Sequence, residues 1–187
     1  MAENKVKFGL KNVHYAVITE GDNGDVTWGT PVAIPGAVSL SMDAQGDTST
    51  FYADDVAYFV PAANDGYSGT LEVARLPDAF RTDVLLETED TTAKVLVESV
   101  NVEPKHIALL FEFAGDVKAT RHVLYNCAVT RPGLAGQTTT NTKEPTTESM
   151  TLTASPLKNG NIKAKTTATT PEATYNGWYG AVWVPTE

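Results

Sequence analysis

The stretch KVLVESVNVEPKHIALLFEFAGDVKATRHVLYNCAVTR (Lys94–Arg131) decides the fold of this chain. It is rich in Val, Leu and aromatic residues, and it is interrupted at Pro104-Lys105 and at Gly115-Asp116. Strand-forming residues separated by short turn signals predict consecutive antiparallel strands, a meander. We therefore predict three neighbouring strands, Lys94–Glu103, His106–Ala114 and Ala119–Arg131.

The second predicted strand is apolar on both of its faces. Because successive side chains of a strand point to opposite sides, one face carries Ile107, Leu109, Phe111 and Phe113. The other face carries Ala108, Leu110 and Glu112. A strand that is apolar on both sides is typically covered on both. We therefore expect a second sheet, a helix or a neighbouring subunit against each face.

Short strands and turns continue over the rest of the chain. One segment differs, because Pro77 and Asp78 suit the start of a helix and the apolar residues after them recur near helical spacing. We predict one sizeable helix there, Asp78–Glu87, beside an all-β core. The remaining predicted strands are Val13–Thr19, Val26–Trp28, Ala37–Met42, Ser49–Tyr52, Ala57–Val60, Tyr67–Ala74, Ser149–Ser155 and Ile162–Thr167.

The composition is typical of a folded protein with an acidic surface. With 187 residues, 42% of them hydrophobic and 20% charged, the chain is long enough for one core. We predict a single domain over residues 1–187. The 23 acidic and 14 basic residues give a net charge of -9, and this charge repels polyanions. The balance argues against a nucleic-acid-binding module.

The N-terminal residues and the cysteine count bear on the compartment. MAENKVKFGLKNVHY (Met1–Tyr15) has no apolar stretch of signal-peptide length, and no run approaches the ~20 apolar residues of a membrane span. The single cysteine, Cys127, has no partner for an internal disulfide. We expect a protein that has no membrane span and is made in a cytoplasm.

The sequence offers little for catalysis or for metal binding. Nucleophilic catalysis needs a nucleophile, a base and an orienting group, but His14, His106 and His122 lie in no recognisable motif. Cys127 lies in an alternating strand pattern and is predicted to be a buried core thiol. Glu20–Asp25 offers oxygen ligands, but an ordinary hairpin turn explains it better. We predict no catalytic residue, no metal site and no cofactor.

The aromatic C-terminus has two open interpretations. Trp178, Tyr179 and Trp183 could stack on sugars or anchor a partner. The strand-like order of Gly180–Val184 favours a terminal strand docked on the core. The same aromatic side chains could also be buried between subunits.

Several segments together resemble the major tail protein family of long-tailed phages, of the phi13 type. They occur in the family's order and span most of the chain, so the resemblance is more specific than a short motif. The segments are VKFGLKNVHYAV (Val6–Val17), LPDAFRTDVL (Leu76–Leu85), NVEPKHIALLFEFAGD (Asn101–Asp116), RHVLYNCAVTRPG (Arg121–Gly133), KEPTTESMTLTASPL (Lys143–Leu157) and KAKT (Lys163–Thr166).

The resemblance implies a structural virion protein. Its fold would be a mainly β tail-tube sandwich or partial barrel with one flanking helix, and six copies would close a ring that stacks into a tube. Phage DNA would pass through the lumen during ejection without specific binding. The implied partners are further copies of the chain, the tape-measure protein, the tail terminator and the baseplate or distal tail proteins. The resemblance also suggests a flexible, non-contractile tail, although the tube fold is shared with contractile tails. The competing hypothesis is a monomeric β-sandwich module that binds carbohydrate or acts as an adhesin.

The tail-tube resemblance also nominates residues and segments. A conduit for DNA should not grip phosphates, so some acidic side chains are candidates for the lumen, with ordinary outer-surface carboxylates as the equal alternative: Asp43, Asp47, Glu98, Glu103 and Glu112. The candidates for the subunit interface are Phe111, Phe113, Trp178, Tyr179 and Trp183. Residues 43–55 and 134–145 are polar, and we predict that one or both become ordered only against adjacent rings.

Overall fold

A nine-stranded antiparallel sheet carries most of the computed structural model, which describes residues 3–21, 24–138 and 145–186. Its strands follow the order β2-β1-β10-β11-β12-β7-β4, with β13 also paired to β11 and β3 to β1. The strands are β1 Lys7–Glu20, β2 Val26–Trp28, β3 Val32–Ala33, β4 Ala37–Gln45, β5 Phe51–Ala53, β6 Val56–Phe59, β7 Gly66–Val73, β8 Thr88–Glu89, β9 Leu96–Val97, β10 Ile107–Gly115, β11 Thr120–Val129, β12 Glu148–Ala154 and β13 Lys163–Lys165. The helices are α1 Asp78–Asp83 and α2 Glu172–Asn176.

The sheet curls into a partial barrel that stays open in the described part of the chain. Strands β1 and β4 come close without pairing. Leu10 of β1 and Leu40 and Met42 of β4 pack against the same apolar cluster. The predicted mainly β fold is confirmed, and the curvature places one face of every long strand around a common interior.

The interior of the barrel is closed by the segment that contains α1. Leu76, Phe80, Val84 and Leu85 are fully buried there. Phe80 meets the edge of Tyr15 with ring centroids 4.9 Å apart, and the Tyr15 hydroxyl donates to Asp83 at 3.0 Å. Burying each large apolar side chain contributes about 1.5–3 kcal/mol, so this segment is a main source of stability.

Strand β10 is covered on both faces, as predicted, and both covers come from the same chain. Ile107 and Leu109 face the barrel interior. Ala108 and Leu110 face outwards into a second cluster, which Trp178 of the C-terminal segment closes. No neighbouring subunit is needed to bury this strand.

The predicted three-strand meander is wrong in its first member. Only Leu96–Val97 of that segment is a strand, and it pairs with β8 instead of β10. The Asp90 carboxylate accepts the backbone N–H groups of Thr92 and Ala93 and so fixes a turn just before it. The Arg131 guanidinium then donates to backbone carbonyls in the 99–102 loop, and these bonds hold the loop out of the sheet.

The helix prediction is right at its start, Asp78, and needs correction at its C-terminal end. Helix α1 ends at Asp83, earlier than predicted, because Leu86 takes a left-handed φ of 58° and the chain turns so that Leu85 enters the core.

The predicted terminal strand is also wrong. The chain forms the short helix α2 after Pro171, followed by turns. The described helices include none long and apolar enough to span a membrane.

Candidate assembly surfaces

A hairpin extension, here called the arm (46–65), connects β4 to β7. Its base is closed by backbone hydrogen bonds from Asp65 to Gln45 and from Ala63 to Asp47. Gly46 has a φ of 148°, and a Cβ there would lie 2.1 Å from the Ala63 carbonyl oxygen. Only glycine fits this contact. Beyond the base, β5 and β6 form a sheet of their own in the described structure.

The arm exposes apolar side chains that a soluble monomer would normally bury. Each of the six large apolar side chains is between 53% and 71% exposed. Contiguous apolar exposure of this kind marks a surface that contacts another molecule. The side chains are Phe51, Tyr52, Val56, Tyr58, Phe59 and Val60.

The arm is also acidic. Asp54 and Asp55 form its tip and both have positive φ, as a two-residue type I′ hairpin turn requires. Asp47 and Asp65 lie at its base, and no Lys or Arg occurs anywhere from Asn12 to Ala74. The arm is therefore an aromatic surface with negative charge.

The predicted lumen carboxylates do not share one environment. Asp43 in β4 and Asp47 at the base of the arm are exposed, as is Glu103 in the loop before β10. Glu98 is partly exposed, and its carboxylate lies 3.4 Å from the Arg131 Nε. Glu112 is 7% exposed. The prediction that it borders the lumen is therefore corrected, because its carboxylate is enclosed within the subunit. The lumen assignment of the other four stays a prediction.

Glu112 is the centre of a buried polar cluster on the outer face of the sheet. Its carboxylate lies 3.1 Å from the Arg121 Nε and accepts hydrogen bonds from Asn12 at 2.7 Å and Tyr179 at 3.2 Å. The Tyr175 ring lies 3.8 Å from the Arg121 guanidinium carbon. Burial, followed by the Glu112 charge, raises the pKa of Tyr179. The cluster fixes the C-terminal segment to β10 and β11.

The predicted interface residues are mostly enclosed within the subunit. Phe111 is buried, and its ring stacks on His122 at 5.2 Å. Phe113 and Tyr179 are half-buried. Trp178 is 3% exposed and donates to the His122 carbonyl. Trp183, at 37% exposed, is the most accessible of the five. Their role at a subunit interface stays a prediction.

Cys127 and His106, which were considered for catalysis, have structural contacts. Cys127 is a fully buried core thiol, as predicted, and burial raises its pKa to about 12. His106 contacts the Asn126 side-chain oxygen at 2.7 Å. Within residues 3–21, 24–138 and 145–186, no group of three or more His, Cys, Asp or Glu side chains could hold a metal ion. The oxygen ligands offered by Asp22 and Asn23 lie outside the described residues.

The arm is the feature that sequence reasoning missed. Both of its strands were predicted in part, at Ser49–Tyr52 and Ala57–Val60, but not as a hairpin separate from the main sheet. A signal was present, because the absence of Lys and Arg from Asn12 to Ala74 leaves an unusually acidic, aromatic segment. Only the tertiary structure reveals that, among the described strands, β5 and β6 pair with each other and with no strand of the main sheet.

The fold and the arm are those of a β-rich protein with an apolar, acidic surface suited to contact with another protein. A family model described as phage tail tube protein matches residues 2–178. The chain therefore belongs to the phage tail tube protein family, a structural family of the virion tail. It is also similar, at 14% identity and a TM-score of 0.43, to the cryo-EM structure of the anti-feeding prophage cap, a tube terminating cap. That similarity covers 89% of this chain and 97% of the cap chain. No curated protein matches the sequence.

Proposed function

We propose that this chain is the major tail tube subunit of a long-tailed phage, of the phi13 type with a non-contractile tail. Six copies close a ring, and the rings stack into the conduit through which DNA is ejected. The observation that carries the proposal is the exposed aromatic arm on a member of a tail tube family. The subunit is assembled in the host cytoplasm and works without catalysis, cofactor or metal.

Unpaired sheet edges support assembly into a closed ring. Strand β4 ends the order of the main sheet, and in the described structure its outer edge has no partner strand. An unpaired edge of nine residues is a site for pairing with another chain. In a ring with rotational symmetry each copy presents one edge to the next, so every edge is satisfied without open-ended aggregation.

The acidic side chains support a lumen that does not retain DNA. Asp43 and Asp47 lie near the free β4 edge, and Glu98 and Glu103 lie in the loop before β10. A basic wall would bind the phosphate backbone and slow its passage. A ring structure with a neutral or positive inner wall would overturn this part of the proposal.

The two polar segments take different roles in the assembly. Residues 43–45 already end strand β4 and residues 46–55 already belong to the arm, so assembly buries this segment instead of folding it. Residues 134–138 and 145 have no helix or strand, and 139–144 lie outside the described residues. For 134–145 the proposal remains that contact with an adjacent ring orders it. The tape-measure, terminator and distal tail proteins are the proposed partners at the axis and ends of the tube.

Electron microscopy of the purified protein at rising concentration tests the proposal. Tubes or stacked rings of constant diameter are the expected result. A particle that stays monomeric at every concentration and salt would favour the alternative, a monomeric carbohydrate-binding or adhesin module. A glycan-binding assay on the same samples would then test Trp183, the accessible aromatic side chain of that alternative.

A further inference from the structure

A cleft of about 370 Å³ opens into the barrel at the end from which the arm leaves. Its apolar walls include Met42 of β4, Tyr67 of β7 and Phe113 of β10. A volume of this order is within the range of about 300–1,000 Å³ found for ligand pockets. The cleft is therefore large enough to receive an aromatic side chain.

Positive charge lines the rim of the cleft. The Lys7 ammonium lies 4.9 Å from the centre of the Phe113 ring, and the Lys163 ammonium lies 4.1 Å from that of Tyr67. Among the described residues, the ion pairs include neither lysine. His122 also lines the cleft, and burial together with Lys165, Lys163 and Lys7 lowers its pKa to about 4. The rim of the cleft therefore carries positive charge next to aromatic rings.

The arm and the cleft are complementary in apolar character and in charge. The arm presents aromatic side chains beside Asp54 and Asp55, whereas the cleft presents aromatic walls beside Lys7 and Lys163. The arm does not fill the cleft of its own chain, because its aromatic side chains are exposed. A second copy placed alongside would offer an arm at the same end of its barrel.

We propose that the cleft at Lys7, Phe113 and Lys163 receives the arm of a neighbouring copy, with Asp54 and Asp55 facing the two lysines. The contact joins two different surfaces, so each copy donates one arm and accepts one, as a ring requires. The inference rests on the proposed tube function and names the partner surface of the arm.

Crosslinking can locate the acceptor. Cys127 is buried, so cysteines introduced by Tyr58→Cys and Lys163→Cys in one chain would be the reactive thiols for a short bismaleimide reagent. The expected result is a ladder of covalent oligomers from assembled protein. The matched control is Tyr58→Cys with Lys105→Cys, because Lys105 precedes the opposite end of β10. Equal or stronger crosslinking in the control would overturn the inference.

Neutralising substitutions test the charge pairing. The arm variant carries Asp54→Asn and Asp55→Asn, because Asn tolerates the positive φ of this turn. The cleft variant carries Lys7→Gln and Lys163→Gln, and its charge control carries Lys94→Gln and Lys105→Gln. We expect each of the first two to raise the concentration needed for assembly about two- to fivefold. Combining them should add little, since they remove the same contact.

The outcomes separate the inference from the proposed function. Wild-type tubes without the Tyr58–Lys163 crosslink, or with strictly additive effects of the arm and cleft variants, overturn the inference alone. A wild-type protein that never assembles overturns both. Far-UV circular dichroism of each unassembled variant checks that the subunit is folded. The crosslinking experiment needs no charge change at Asp54 or Asp55.

Discussion

Strand β10 and the arm are both rich in apolar and aromatic residues, yet they differ in burial. Ile107, Leu109 and Leu110 are fully buried, whereas Phe51 and Tyr58 are more than half exposed. The difference lies in what the rest of the chain supplies. The segment with α1 and the C-terminal segment cover the two faces of β10, and no described element covers the arm. An apolar surface that the chain leaves uncovered indicates a partner outside the chain.

The largest expected effect is on the stability of the core, in the segment with α1 that covers β10. Phe80→Ala removes a fully buried ring that contacts Tyr15. We expect a loss of about 3–5 kcal/mol in the free energy of unfolding, from lost burial plus a cavity. Urea denaturation measures it. A loss below ~1 kcal/mol would mean that the α1 segment does not close the barrel.

The buried ion pair gives the next effect. Glu112→Gln leaves the Arg121 charge buried without its carboxylate, and the loss should be about 3 kcal/mol or more. Asp43→Asn is the matched control, because its exposed side chain should change stability by less than ~0.5 kcal/mol. Equal effects of the two substitutions would contradict the burial of Glu112.

Acid should weaken the fold through His122. Its pKa is lowered to about 4 by burial and by Lys165, Lys163 and Lys7, below the ordinary 6.5. The unfolded state therefore binds the proton first, so the contribution to stability is complete above pH 6.5 and is lost as the pH falls towards 4. His122→Phe keeps the stack on Phe111 but cannot titrate. Its denaturation midpoint should fall less than that of the wild type between pH 7 and pH 4.5.

The smallest effect on stability belongs to the arm. Phe51→Ser with Tyr58→Ser should change the free energy of unfolding by less than ~0.5 kcal/mol, because both side chains are exposed in the single chain. The same variant should lose tube formation in electron microscopy. A large loss of stability without any loss of assembly would mean that the arm belongs to the core of the subunit and not to its assembly surface.

Much of the fold follows from local patterns. Strands β2, β7, β10 and β11 lie close to their predictions, because alternation and turn residues act over a few positions. β1 pairs with β2 as predicted, but it begins at Lys7 instead of Val13. The 94–103 segment has the same alternation but becomes mostly loop apart from β9, because Asp90 and Arg131 supply bonds that the pattern does not encode. The C-terminus fails for a similar reason, since Trp178 docks from a turn and not from a strand.

The sequence by itself determined that the protein is β-rich, that β10 needs cover on both faces and that Cys127 is buried. These properties depend on side-chain period and on residue type. The tertiary structure decided which apolar segments find cover, because burial depends on elements that are distant in sequence. It enclosed Glu112 with Arg121 and left the arm exposed, and those two outcomes separate the core of the subunit from its assembly surface.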